Sequence, residues 1–276
     1  MTLVARLCTR LVAPSALTLS LLVVTALVGC GNKEKTVKLP GGAEMEFVWI
    51  EPGTFTMGSP ESEYGRFQDE GPQHEVRLTQ GFWLAKYELT QAQWQAVMGT
   101  QPWSGQDYVV AEPSHPATHI SWTDVQLLLQ RLSQEAGEKI WRLPTEAEWE
   151  YACRAGTTTA WSHGSGASQL YDYGWYDGNT QKVSKAYPHK VGTREPNPWG
   201  LYDMHGNVAE WCQDGGDPKY PSEPRTDPVG PATTAYRFVR GGGFNSSAQS
   251  TRSATRYDFP ITDRGATLGA RLVLTR

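Results

Sequence analysis

Thiols are scarce in this chain. Four cysteines occur in 276 residues, and Cys8 and Cys30 fall within or directly after an apolar leader, so only Cys153 and Cys212 belong to the body. Histidines number six, at positions 74, 115, 119, 163, 189 and 205. Of these only His115 and His119 have a ligand-like spacing, and Pro116 between them opposes the continuous helix such a pair needs, so no histidine metal site is expected. There is no phosphate-cradling loop: Gly241-Gly242-Gly243 follows a strand-like run but lacks the lysine and the helix that such a loop requires. No apolar run after Leu27 is long enough to span a bilayer. Basic residues are not in excess. The formal charge is −4, and removal of residues 1–29 leaves 23 basic against 29 acidic side chains, a net −6, which argues against general affinity for nucleic acid or anionic membranes.

What is present begins with a leader. Arg6 and Arg10 precede the apolar run Leu11–Leu27, which closes on Leu27-Val28-Gly29-Cys30. A short basic region, an apolar core and small residues define a secretory signal. A cysteine after Leu-x-Gly resembles the bacterial lipoprotein signal, in which the segment before the cysteine is removed and the cysteine is acylated. Residues 1–29 are therefore expected to be a lipoprotein signal peptide, Cys30 the lipidated residue, and 30–40 a flexible linker of small, charged, unpatterned residues. Several acyl chains, each buried methylene contributing about 0.8 kcal/mol, would tether the protein to a membrane of the bacterial cell envelope. Gly31 in place of an aspartate weakly favours the outer membrane.

Eleven tryptophans, 28 glycines and 18 prolines describe a body rich in aromatics and turns, large enough for one core over 41–276. Glu46–Ile50 and Thr54–Met57 read as a hairpin about Glu51-Pro52-Gly53, Gly58–Gln73 as a surface loop, and His74–Leu78 and Phe82–Leu89 as strands. Three capping boxes, Thr90/Gln93, Ser121/Asp124 and Thr145/Glu148, open three short helices, the first two closing at Gly99 and Gly137 and the third carrying Trp149 and Cys153. Beyond Gly156 only brief strand-like runs remain, at Tyr171–Asn179, Tyr187–Gly192 and Phe238–Gly241; the aromatic content argues for an ordered, loop-dominated lobe. In an oxidising compartment a Cys153–Cys212 disulfide is possible, and each cysteine could equally be a buried small hydrophobe.

The stretch from Gly200 to Cys212, GLYDMHGNVAEWC, mixes carboxylates, asparagine, glycine and large aromatics in a way neither a plain helix nor a plain strand selects. One reading places Asp203 and Glu210 about a common centre, with carbonyls exposed by the turn at Gly206 and Asn207, as hard cations prefer. The other has the two acids satisfying backbone N–H groups or pairing with arginines.

This stretch, together with RLPTEAEWEYA at 142–152, RGGGF at 240–244, FVWIEPGTFTMG at 47–58 and LGAR at 268–271, resembles the formylglycine-generating enzyme (sulfatase-modifying factor) family, with the motifs in family order across nearly the whole body. The resemblance implies an α+β fold of C-type-lectin-like type, loop-rich, with few short helices and small antiparallel sheets. It implies a structural calcium held by Asp203, Glu210 and the carbonyls of Gly206 and Val208. The family often has tryptophan where this chain has Ala209.

Catalytic members oxidise a sulfatase cysteine to formylglycine with oxygen and copper(I) held by two cysteines, soft ligands for a soft metal. Here Ser246 stands at the first thiol position, Ser250 or Thr251 at the second, and Gly243 replaces the usual serine. Hydroxyls are hard, weakly acidic ligands, so copper is not expected. The expected function is a membrane-tethered, non-catalytic binding or accessory lipoprotein, whose ligand surface comprises Phe244, Asn245, Ser246, Gln249, Arg252, Arg256 and Tyr257. That run is also similar to the variable loop of lectin-like lipoproteins diversified by retroelements; the competing reading makes Arg252 and Arg256 structural, paired with acids such as Asp203 or Glu150. The alternative is an oxidoreductase of the family, either by other residues or of the cysteine-free pyoverdine-maturation kind; an accessory role in motility or secretion is a third reading.

Overall fold

The computed structural model describes residues 33–275 except 138–139, 181–185, 217–218 and 232–233. The expected signal peptide and the expected lipidation site Cys30 lie outside the described residues. In chain order the strands are β1 (Glu34–Lys38), β2 (Glu44–Ile50), β3 (Gly53–Met57), β4 (His74–Leu78), β5 (Phe82–Ala85), β6 (Trp141–Arg142), β7 (Ala209–Trp211), β8 (Arg225–Thr226), β9 (Tyr236–Arg240), β10 (Arg256–Pro260), β11 (Leu268–Gly269) and β12 (Val273–Leu274). The helices are α1 (Gln91–Met98), α2 (Trp122–Ala136), α3 (Glu146–Arg154), α4 (Leu170–Tyr173) and α5 (Asp177–Thr180).

Among the described residues the strands form three sheets, in the orders β1-β2-β5-β12-β6, β10-β9-β7-β11 and β3-β4-β8. The pairings are antiparallel except β11 with β7 and β4 with β8. In the five-stranded sheet both faces are buried, because successive residues of its central strands are apolar: Phe47 and Ala85 enter one core, Val48 and Leu84 the other. Val125, Leu128, Leu129 and Leu132, spaced three and four apart on α2, cover the first face together with Trp94 of α1. Trp149, Ala152 and Cys153 of α3 cover the second. Each fully buried leucine or valine contributes about 1.5–3 kcal/mol relative to exposure.

All three expected capping boxes form, with Thr90, Ser121 and Thr145 accepting from the third helical N–H, and Gly99 and Gly137 close α1 and α2 in the left-handed region. The third helix ends at Ala155, itself left-handed, one residue before Gly156.

Several expectations are corrected. Much of the expected linker is sheet, since Glu34–Lys38 pairs along its length with Glu44–Val48 as β1; exposed Glu34, Thr36 and Lys38 alternate with half-buried Lys35 and Val37, a period of two that composition alone concealed. The Tyr171–Asn179 run forms α4 and α5 rather than a strand, with Asn179 turning back to accept from Tyr176 N and donate to Gly174 O. Tyr187–Gly192 is irregular. Gly58–Gln73 is not wholly surface, because Ser59 and Glu70 are buried.

Irregular segments are tied together by buried ion pairs. Glu150 on α3 accepts from Gly58 N at 2.9 Å and Arg154 Nε at 2.9 Å and pairs closely with Arg240 of β9. Burial pushes this carboxyl up, but the two guanidinium groups and the Gly58 N–H more than reverse that and hold it below the usual glutamate range. Glu146 takes Arg256 bidentately at 2.8 Å, and Arg252 binds both Glu63 and Glu70.

Candidate functional site

The 203–212 segment passes from a polar turn into β7. Asp203 (φ 60°) and Asn207 (φ 69°) occupy the left-handed region, which short polar side chains tolerate better than other non-glycine residues. Gly206 cannot be replaced cheaply, because a Cβ there would meet the Trp175 carbonyl oxygen at 2.2 Å. β7 lies between β9 and the parallel β11, and this register brings Glu210 to Arg271, two residues beyond β11.

Both Glu210 oxygens are engaged: Arg271 donates at 2.7–3.0 Å, and Trp149 Nε1 donates to Oε2 at 2.7 Å. Asp203 Oδ2 accepts from Gly192 N at 2.7 Å, whereas its buried Oδ1 has no hydrogen-bond partner among the described residues. Close by, Glu88 accepts from Val208 N at 3.0 Å and Asn207 Nδ2 at 2.6 Å. Burial, then the charges of Asp203 and Glu210, push Glu88 well above the usual glutamate range. Burial raises Asp203 to about 6. Three buried carboxylates thus share one buried guanidinium, Arg271. Among the described residues no three His, Cys, Asp or Glu side chains group as a metal site. The expected calcium set contains only two side chains, with carbonyls supplying the rest. The free oxygen of Asp203 fits a hard cation, whereas each Glu210 oxygen already accepts two donors and would have to give up a bond to Arg271 or Trp149 to join it.

The expected thiol positions are packed hydroxyls. Ser246 Oγ accepts from Gly243 N at 2.9 Å, closing a turn in which a Cβ on Gly242 (φ 73°) would meet Ser250 O at 2.7 Å. Ser250 Oγ accepts from Tyr257 at 2.9 Å. Thr251 is buried, donates to Ala248 O at 2.9 Å and accepts from Trp161 Nε1 at 3.2 Å. His205 fixes the same segment from below. Its Nε2 accepts from Ser162 N at 3.0 Å, which leaves Nδ1 as the donor to Thr251 O at 2.9 Å, and burial lowers the imidazole to about 3, so it is neutral.

Of the two readings of Cys153 and Cys212, a bridge or buried small side chains, the structure has the second: both are free and buried. Cys153 packs at 3.7 Å from Met204 O and Ser253 Oγ, and Cys212 at 3.9 Å from Glu210 O. Burial pushes the Cys153 thiol up to about 12 and the Cys212 thiol well above its usual range, so neither supplies thiolate near neutrality.

The expected ligand surface also divides. Phe244, only 2% exposed, and the buried Arg252 and Arg256 are structural, the arginines being spent on Glu63, Glu70 and Glu146. Gln249 packs against Gly65, Ser246 closes its turn, and only Asn245 and Tyr257 (38% exposed) present themselves to solvent. The anticipated acid partners were Asp203 or Glu150; the partner of Arg256 is Glu146.

Sequence reasoning missed Glu88, Arg271 and Asp214. A lone charge inside an apolar run, as in Leu268–Leu274, is the signal that identifies a buried pair such as Arg271 with Glu210. Asp214 accepts from Glu146 N, the first N–H of α3, at 2.7 Å beside a cleft of about 450 Å³ that Glu146, Tyr220 and Arg256 also line. Burial and then the Glu146 charge lift it to about 7.

Residues 33–276 match the sulfatase-modifying factor enzyme 1-like domain, and the chain belongs to that family. It is 36% identical over 153 residues to the formylglycine-generating enzyme of Streptomyces coelicolor, a match covering 52% of this chain and 46% of the enzyme, so the chain spans less than half the length of that relative. Among solved structures it resembles Treponema denticola variable protein 1, with a TM-score of 0.76 and 28% identity over 88% of this chain and 99% of the other. It also resembles PvdO from Pseudomonas aeruginosa, with a TM-score of 0.73 and 27% identity over 88% and 98%. The fold is accordingly the formylglycine-generating-enzyme type with a C-type-lectin-like plan.

Asp214 gives this geometry a pH signature. The fold retains its proton where an unfolded carboxyl near 3.8 has lost it, so the stability it contributes is full below about pH 4 and is lost as pH rises to about 7. Asp214→Asn keeps an acceptor for Glu146 N, and is expected to flatten the slope of unfolding free energy between pH 4 and 7 in chemical denaturation; an unchanged slope would show that Asp214 is not the source.

Proposed function

We propose that this protein is a lipid-anchored bacterial envelope protein whose sulfatase-modifying-factor-like domain acts as a binding or accessory module rather than as a generator of formylglycine. The single observation carrying the reading is that the two thiol positions are hydroxyls already committed to internal hydrogen bonds, while both body cysteines are buried and held protonated. Copper(I) chemistry of the known kind needs a pair of accessible soft ligands. Copper(I) titration of the purified chain with a cysteine-containing peptide is expected to give neither thiol-dependent copper binding nor peptide aldehyde; aldehyde formation would reinstate the second reading, an oxidoreductase, which the 36% identity to a formylglycine-generating enzyme favours.

The anchor rests on Leu27-Val28-Gly29-Cys30. Cys30→Ser is expected to abolish palmitate incorporation and move the protein from the membrane to the soluble fraction, and continued acylation of that variant would exclude Cys30.

The reading includes a structural calcium at Asp203, Glu210 and the carbonyls of Gly206 and Val208, with Glu210 exchanging one of its bonds to Arg271 or Trp149 for the ion. The loop residues supply the free Asp203 oxygen and the unbalanced negative charge, and bound calcium would stiffen the turn that leads into β7. An ion at about a hundredfold its Kd stabilises by about 2.7 kcal/mol, which in a chain of this size raises Tm by roughly 5–10 °C. Calcium against a chelator should produce that rise in the parent and none in Asp203→Asn; an equal response in both would place the ion elsewhere.

A further inference from the structure

A groove of about 570 Å³ opens between residues 60–64 and the turn at 158–167. Its size falls within the roughly 300–1,000 Å³ typical of small-molecule sites. One wall carries Ser62, Glu63 and Tyr64, and the other Thr158, Thr159 and Ser165 over the edge of Trp161. Among the described lining residues there is no lysine, arginine or histidine.

The hydroxyls of Ser62, Thr158 and Ser165 form no hydrogen bond to protein among the described residues, and all three residues are exposed. Thr159 donates to Trp161 O at 2.6 Å and keeps lone pairs to accept. Glu63 is the one carboxylate. Its Oε1 is held at 2.6 Å by Arg252 Nη1, and the same arginine is fixed by buried Glu70, so the carboxylate is set in place with Oε2 not used by that arginine. Tyr64 stands at the rim with 84% of its surface exposed, a large flat side chain that buries almost nothing in the free protein.

Three features select the ligand. Unspent hydroxyls on both walls exchange readily with hydroxyls of a ligand, each acting as donor and acceptor. A protruding tyrosine offers a rigid face with negative quadrupole to weakly positive C–H groups at low entropic cost. The absence of lining cations, with two carboxylates around Arg252, disfavours anions. We propose that this groove is a binding site for neutral carbohydrate, with Tyr64 stacking on a sugar ring and Glu63 Oε2 accepting from its hydroxyls. The assignment does not depend on the thiol argument, so its failure would leave the absence of formylglycine chemistry untouched, and the reverse holds as well.

Isothermal titration of the purified full chain with maltohexaose, cellohexaose and chitohexaose, set against an oligogalacturonate and a neutral Gly-Ser octapeptide, tests it. At least one neutral oligosaccharide should bind saturably. Tyr64→Ala, which removes an exposed side chain and leaves the fold intact, should weaken that binding at least fivefold, and Tyr64→Phe should restore most of it. Ser165→Trp, filling the groove, should abolish it. No binding by any of the three neutral oligosaccharides, equal binding of the octapeptide or the oligogalacturonate, or an unchanged affinity in Tyr64→Ala would each overturn the proposal.

Discussion

The buried pairing of arginine with glutamate is the constraint on which this loop-rich molecule rests. Arg240, Arg252 and Arg271 are among its largest fully buried side chains, and each takes a carboxylate from a segment distant in sequence. Glu150 alone joins α3, the Gly58 turn and β9. Removing one partner of such a pair leaves an uncompensated buried charge, at a cost of about 3–5 kcal/mol. That is a large share of the 5–15 kcal/mol typical of whole domains. Where helices and strands are short, these guanidinium forks fix the positions of loops that apolar packing alone would leave underdetermined.

The same logic separates the two places where chemistry was anticipated. In the 244–257 segment every charge is paired: Arg252 binds Glu63 and Glu70, Arg256 binds Glu146, and the serines and Thr251 are absorbed into turns. In the 203–210 turn this is not so. Glu88, Asp203 and Glu210 outnumber Arg271, and one Asp203 oxygen is left unpartnered. Satisfied polar groups rigidify, whereas unsatisfied ones call for a proton or a ligand.

Local signals were legible in the sequence and long-range ones were not. Ser121 and Asp124 announced α2, and the three- and four-residue spacing from Val125 to Leu132 announced its buried face, because both depend on neighbours within one turn. β1 escaped notice because its partner β2 supplies the pairing that five polar-rich residues could not advertise. The burial of Arg252 was likewise invisible, since Glu63 and Glu70 lie 182 or more positions away. The family motifs located the 203–210 turn, but only the β7–β11 register revealed that Arg271 occupies both oxygens of Glu210.

The depth of Cys153 and Cys212 has a consequence for how the chain matures. Each sulfur is enclosed in the core beside α3 and its mercaptan proton is firmly held, so once the core has formed neither of these two cysteines is open to exchange with an oxidant or a mixed disulfide. Exposure of these atoms is confined to the interval before the core closes. Burial therefore does for this molecule what a covalent staple does for many exported domains: it retires sulfur from further chemistry without forming a cross-link.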